Sequence, residues 1–229
     1  MVKLFLDSAA QDEILEFGHL VQGFTTNPTL MRRAGVQEYA AWGRETATLV
    51  ADRPISFEVV TDDFQDMVRQ ALLIHEWGPN VFVKIPITNT EGKSSASVIR
   101  RLSKAGIKVN VTAITTIRQV KDAIKALDKS AKAIISVFAG RIADTGVNPR
   151  GTMRFAVKHT RPFRGFDVLW ASPRQVLDID FAEACGVDII TVSKDILAKR
   201  QLKGRDLTEY SLETVKQFYT DATLSGYSV

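Results

Sequence analysis

The sequence predicts an α/β protein: a closed (β/α)8, or TIM, barrel that forms one domain over residues 1–229 and carries a C-terminal helix. Short apolar runs recur along the chain, and each is followed by a longer stretch with helical periodicity. Repeated strand–helix order of this kind builds a parallel sheet with helices on its outside. No linker, low-complexity tract or charge block interrupts the series. An open doubly wound sheet is the competing architecture, but no G-x-G-x-x-G follows the first apolar run and no P-loop occurs anywhere in the chain. A chain of 229 residues also suits a single barrel.

The first strand is Lys3–Asp7, where Leu4-Phe5-Leu6 is the apolar run, and the amphipathic stretch Gln11–Leu20 follows it. The second strand, Gly23–Thr26, runs into Asn27-Pro28, which reads as a turn. Helix Val36–Val50 then leads to strand Ser56–Val60, and helix Asp62–Glu76 to strand Val81–Lys84. Helix Ser94–Ala105 precedes strand Lys108–Thr112, and helix Thr116–Leu127 precedes strand Ala133–Phe138. Helix Thr152–His159, strand Asp167–Ala171, helix Pro173–Cys185 and strand Asp188–Thr191 complete eight repeats. The stretch Leu212–Thr220 closes the chain, with Leu212, Val215 and Phe218-Tyr219 at helical spacing.

Composition excludes several classes of function. Hydrophobic residues make up 45% of the chain and charged residues 24%, the balance of an ordinary folded protein rather than a disordered one. Basic residues outnumber acidic ones by 30 to 26 and are dispersed, so no nucleic-acid partner is expected. Cys185, the only cysteine, reads as a small core residue, and with three histidines and no Cys/His cluster no metal site is expected. Neither a signal peptide nor an apolar run of membrane-spanning length is present, so the expected compartment is the cytoplasm and no membrane partner is expected.

Chemistry is concentrated at the C-terminal ends of the strands, the face on which barrel active sites are built. Lys84 stands out because it lies between Val81-Phe82-Val83 and Ile85-Pro86-Ile87, where an unpaired ammonium is costly. A desolvated amine is also a nucleophile that can form a Schiff base with a carbonyl substrate. Taken alone, Lys84 is better read as a side chain that buries its stem and carries its head out to solvent or to a carboxylate. Its company argues otherwise. Asp7, Thr26, Asn27, Glu58, Asn110, Thr112, Ser136, Arg141, Ser172 and Arg174 all fall at strand ends or in the loops that follow. Each has a simple structural explanation of its own: Asp7 or Ser8 as a helix cap, Glu58 as a partner for Lys84, Arg141 as a partner for Asp144. Buried polar atoms need partners, however, and so many on one rim are most simply satisfied around a water-containing ligand pocket.

These residues resemble the transaldolase family, in its small single-domain branch that also holds the fructose-6-phosphate aldolases. The matching segments are Leu6-Asp7-Ser8-Ala9, Gly23-Phe24-Thr25-Thr26-Asn27-Pro28, Lys84-Ile85-Pro86 with Thr90-Glu91-Gly92, and Asn110-Val111-Thr112-Ala113. Ser136-Val137-Phe138-Ala139-Gly140-Arg141, Ala171-Ser172-Pro173-Arg174 and the ending from Val215 to Ala222 continue the likeness. The resemblance implies that Lys84 forms the Schiff base, that Asp7 is the acid/base group at the substrate's C4 hydroxyl, and that Glu58 and Thr112 hold a proton-shuttling water. It implies sugar phosphates as the small-molecule partners. Thr26, Asn27, Asn110 and Phe138 would then face the sugar, and Ser136, Arg141, Ser172 and Arg174 would receive the phosphate. Glu58 with Phe138 is the pair of the transaldolases, where the aldolases tend to have Gln and Tyr. A fructose-6-phosphate aldolase that releases dihydroxyacetone is therefore the alternative enzyme, and a non-catalytic sugar-phosphate-binding barrel the alternative of another class. No cofactor is implied, because the protonated imine is itself the electron sink. A homo-oligomer is implied, a pentamer or decamer held through the C-terminal helix. Departures from the family pattern are Val137 and Ser193, both commonly proline, and a longer loop at Thr88-Asn89-Thr90.

Overall fold

The computed structural model describes residues 1–227; the last two residues of the expected domain lie outside the described residues. Eight parallel strands hydrogen-bond in sequence order and close into a barrel, the first pairing with the eighth. They are β1 (Lys3–Asp7), β2 (Gly23–Thr25), β3 (Ile55–Glu58), β4 (Val81–Pro86), β5 (Val109–Ile114), β6 (Ala133–Val137), β7 (Phe166–Trp170) and β8 (Ile189–Val192). All eight lie where the apolar runs predict them. Helices α1 (Gln11–Phe17), α2 (Pro28–Arg33), α3 (Tyr39–Leu49), α4 (Phe64–His75), α5 (Ala96–Lys104) and α6 (Ile117–Ala126) connect the first six strands. Helices α7 (Ala139–Asp144), α8 (Arg150–Thr160), α9 (Leu177–Ala184), α10 (Lys194–Arg200) and α11 (Leu207–Ser225) complete the chain.

Three of these helices, α2, α7 and α10, have no counterpart in the sequence reading. Each is six or seven residues long, too short to display a full amphipathic repeat. The turn expected at Asn27-Pro28 is a helix start: Asn27 Oδ1 accepts from the Leu30 amide at 3.0 Å, and Pro28 takes the first helical position, where its missing N–H costs nothing. Helix α1 is not capped by Asp7 or Ser8; its N-cap is Ala10, and the Ser8 hydroxyl donates to Glu13 at 2.6 Å. Ser193, one of the departures from the family pattern, caps α10 by accepting from the Ile196 amide at 3.4 Å.

Two apolar layers follow from the two-residue alternation of a strand. Val81, Val83 and Ile85 of β4 are fully buried on the outer face, packed in the shell between sheet and helices. Phe82 points the other way, into a small interior cluster with Phe5, Ile134, Leu169 and Ile189. Phe5 fills the barrel so closely that a Cβ on Gly23 would come within 2.5 Å of its ring, so glycine is required there. This plug closes the lower half of the barrel. Two residues further along most of the strands, on the same inner face, the side chains are polar; β7 is the exception, where Leu169 is followed by Ala171.

Candidate active site

The step of two residues converts Phe5 to Asp7, Gly23 to Thr25, Ser56 to Glu58, Phe82 to Lys84, Ile134 to Ser136 and Ile189 to Thr191. These upper residues line a cavity of about 490 Å³ at the C-terminal mouth of the barrel, together with Asn110, Thr112 and Phe138. Strand register alone makes neighbours of the central three, because Glu58 is paired with Lys84 and Lys84 with Asn110. Asp7 is likewise paired with Thr25.

Lys84 is 6% exposed, and its Nζ donates to the Thr26 carbonyl at 2.7 Å and lies 3.0 Å from Glu58 Oε2. The head of this lysine is therefore held inside the barrel rather than carried to solvent. Asp7 accepts from the Thr25 hydroxyl at 2.7 Å. Desolvation pushes the Asp7 carboxyl above its ordinary value of 3.8; the Lys84 charge and the Thr25 hydrogen bond oppose the rise, and Glu58 adds to it. A second network crosses the interior, where the Ser136 hydroxyl donates to Asn110 Oδ1 at 2.7 Å and Asn110 Nδ2 donates to Ser56 Oγ at 3.0 Å. The buried Thr112 hydroxyl has no hydrogen-bond partner among the described residues, which leaves it available to water or a ligand in the cavity.

Glu58 is fixed from behind. The Tyr39 hydroxyl donates to the Glu58 carbonyl at 2.8 Å, and the Tyr39 ring packs edge-on against Trp77 and stacks on Trp42. Burial is the main cause that raises the Tyr39 hydroxyl's pKa, so it stays protonated and keeps donating. The loop after β4 is tied down at Thr90, whose amide and hydroxyl both donate to Asp62 at 2.7 Å.

Backbone irregularities bring further residues to the mouth. The β5–β6 register shifts between Val111 and Ile114, with Ala113 at φ +61°, and this irregularity lets the consecutive residues Thr112 and Ala113 both line the cavity. Ser172 has φ +60°, a left-handed conformation uncommon for a residue with a Cβ. Gly140 lies so close to it that a Cβ would fall 1.5 Å from the Ser172 carbonyl oxygen. That contact locks the loops after β6 and β7 together and places Arg141 and Arg174 on the same side of the cavity.

The structure thus brings Asp7, Asn27, Glu58, Lys84, Asn110, Thr112, Ser136, Phe138, Arg141, Ser172 and Arg174 to one cavity. Thr26 differs. By alternation Thr25 faces the cavity, whereas Thr26 is fully buried outside its lining and contributes only its carbonyl, to Lys84. The partner of Asp144 is also not the expected Arg141: Arg174 makes a two-pronged pair with it, Nε to Oδ1 at 3.0 Å and Nη2 to Oδ2. Arg33, Thr25 and Thr191 line the cavity without having been singled out in the sequence. Arg33 was obscured because α2 was read as a turn. Among the described residues no group of three or more His, Cys, Asp or Glu is placed to hold a metal ion, and no helix is long and apolar enough to cross a membrane.

A parallel eight-stranded barrel with a polar cavity at the C-terminal ends of its strands, a buried lysine within it and arginines at its rim has the layout of a barrel enzyme for a small anionic substrate. The sequence profile of the Transaldolase/Fructose-6-phosphate aldolase family matches residues 4–226, and the chain belongs to that family. A probable transaldolase of Streptococcus agalactiae serotype V is 37% identical over 217 residues, covering 93% of this chain and 95% of that protein. A probable transaldolase of Thermoanaerobacter sp. (strain X514) is 34% identical over 229 residues, covering 97% of this chain and 99% of that protein. Among solved structures, KGPDC from Streptococcus mutans superimposes with a TM-score of 0.57 at 13% identity, over 86% of this chain and 89% of that one, a likeness of fold.

Proposed function

We propose that this protein is a transaldolase that moves a dihydroxyacetone unit from a ketose phosphate, of the sedoheptulose 7-phosphate or fructose 6-phosphate type, to an aldose phosphate. The observation that carries the proposal is the placement of the Lys84 amine in a polar cavity, beside Glu58 and on the same inner layer of the barrel as Asp7. Lys84 Nζ adds to the C2 carbonyl, and loss of water gives the iminium; Glu58 and Thr112 hold the water that relays the protons. Asp7 takes the C4 hydroxyl proton as the C3–C4 bond breaks, and the bonding pair passes into the iminium as an enamine. The aldose phosphate departs, the acceptor aldehyde adds to the enamine, and hydrolysis returns free Lys84. Asn27 and Asn110 hydrogen-bond the hydroxyls of the three-carbon unit, while Ser136, Ser172, Arg141 and Arg174 receive the phosphate. A cytoplasmic setting suits these substrates.

The test is borohydride reduction in the presence of fructose 6-phosphate or sedoheptulose 7-phosphate. A mass increment on Lys84 is expected, and its absence with every ketose phosphate would remove the enzyme in favour of a binding barrel. Phe138 supports transfer over release, because a phenyl ring at the cavity wall cannot donate a proton to the bound enamine. Phe138→Tyr is expected to raise dihydroxyacetone release without acceptor by about tenfold or more, measured as free dihydroxyacetone. An unchanged partition between release and transfer would refute that role.

The same proposal includes self-association. Helix α11 is 19 residues long and buries none of them, and it leaves Val215 60%, Phe218 66% and Tyr219 75% exposed. A single-chain surface rarely leaves such an apolar stripe uncovered. Light scattering is expected to give a pentamer or decamer of the 25.4 kDa chain, and Phe218→Asp to yield smaller species. A wild-type monomer would contradict it.

A further inference from the structure

Arg33 is the last residue of α2, and it lines the active-site cavity together with Thr29, four residues earlier, and Leu30. Helical side chains lean toward the helix N-terminus, and the N-terminus of α2, at Asn27 and Pro28, is itself part of the cavity wall. Its neighbour Arg32 does not line the cavity. Among the described residues the Arg33 guanidinium has no hydrogen bond and no ion pair, so its charge is uncommitted.

The charge balance at the mouth gives that cation a task. Arg174 is paired two-pronged with Asp144, whose carboxyl is held low chiefly by that hydrogen bond and therefore stays ionised. Arg141, Arg174 and Asp144 together supply a net charge of only about +1. A sugar phosphate carries about −1.5 to −2 at neutral pH. Without a second free cation the mouth would match a monoanion better than a dianion. Arg33 supplies that cation, and from the other side. It follows β2, which in the closed strand order lies four strands from β6, the strand that leads to Arg141.

We propose that Arg33 is a further substrate-binding residue, closing on the phosphate from the rim opposite Arg141 and Arg174 and giving the site its preference for a dianionic sugar phosphate. The inference rests on the sugar-phosphate reading of the cavity, but its test does not require the covalent chemistry. Inorganic phosphate is the probe, titrated calorimetrically into wild type, Arg33→Gln and Arg33→Lys. At a pH well above the second pKa of inorganic phosphate, which lies above the roughly 6 of a phosphate ester, Arg33→Gln is expected to weaken binding about tenfold, and Arg33→Lys to recover most of the loss. Below that pKa, where phosphate is a monoanion, the gap between wild type and Arg33→Gln is expected to shrink. A purely structural role would not produce that pH dependence. In turnover, the KM for fructose 6-phosphate is expected to rise in Arg33→Gln far more than the KM for unphosphorylated fructose.

Phosphate affinity equal in wild type and Arg33→Gln, or a KM effect equal for both sugars, would overturn the assignment. Borohydride trapping with fructose 6-phosphate in parallel separates the two readings. An adduct on Lys84 with unchanged phosphate affinity removes Arg33 and leaves the transaldolase. Phosphate binding that depends on Arg33 with no adduct in wild type does the reverse.

Discussion

Lys84→Met is expected to yield no borohydride adduct with any ketose phosphate and to lower turnover by more than about 10⁴-fold, because among the described residues no other lysine lines the cavity. The same substitution is expected to destabilise the fold. Among the described residues Lys84 is the only ammonium beside Asp7 and Glu58, and its charge is the largest influence holding the Asp7 carboxyl down. Removing one member of such a pair costs about 3 kcal/mol when the remaining charge is buried. Asp7 would then move further above its ordinary value, since desolvation and Glu58 both push it up. A carboxyl raised in the folded state stabilises that state below its unfolded value and loses the contribution as pH rises through the folded value. The melting temperature of Lys84→Met is therefore expected to fall furthest below wild type at neutral pH and to approach it near pH 3.8, the unshifted value. Melting curves across that range and a mass spectrum of the reduced complex check both halves. An adduct elsewhere in the variant would place the nucleophile at another residue.

The barrel and the identity of its polar rim are legible in the sequence because both rest on local alternation. Most of the strands are apolar runs whose inner face is polar near the end, as in Phe5 then Asp7 or Phe82 then Lys84. Parallel register does the rest, setting Glu58, Lys84 and Asn110 side by side without any long-range information beyond strand order. What is not legible depends on how loops approach one another. Arg174 rather than Arg141 meets Asp144 because Gly140 packs directly on the Ser172 carbonyl, a contact between residues 32 positions apart in sequence. Nothing in either segment's periodicity encodes it. The division of labour between Thr25 and Thr26 turns on one residue of strand phase, and two consecutive threonines at the end of a three-residue strand do not fix that phase in the sequence. Arg33 and the helix that carries it were hidden for a related reason: six helical residues give too little pattern, and Asn-Pro serves both a turn and a helix start.

Asp7→Asn is expected to separate Schiff-base formation from carbon–carbon cleavage and, unlike Lys84→Met, to stabilise the protein. The adduct on Lys84 should still form, because the amine, Glu58 and Thr112 are untouched, while on the proposed mechanism kcat falls by about 10²–10⁴-fold for want of an acceptor for the C4 hydroxyl proton. Asparagine keeps an oxygen where the Thr25 hydroxyl now donates at 2.7 Å, so the local packing is preserved. The ionised carboxylate is what the variant removes. Burial is the largest cause of the raised Asp7 value, larger than the opposing Lys84 charge, so ionised Asp7 is a net burden on the folded state. Wild type therefore loses stability as pH climbs from 3.8 through the raised value, and Asp7→Asn does not. The difference in melting temperature, variant above wild type, should open across that window and vanish below it. A variant that traps substrate on Lys84, fails to cleave it and melts higher once the pH has entered that window would tie the proposed catalytic role of Asp7 to the cost of burying its carboxylate. A difference that does not change with pH would mean that Asp7 is solvated well enough to ionise freely, and its place as the proton acceptor would need another source of a tuned pKa.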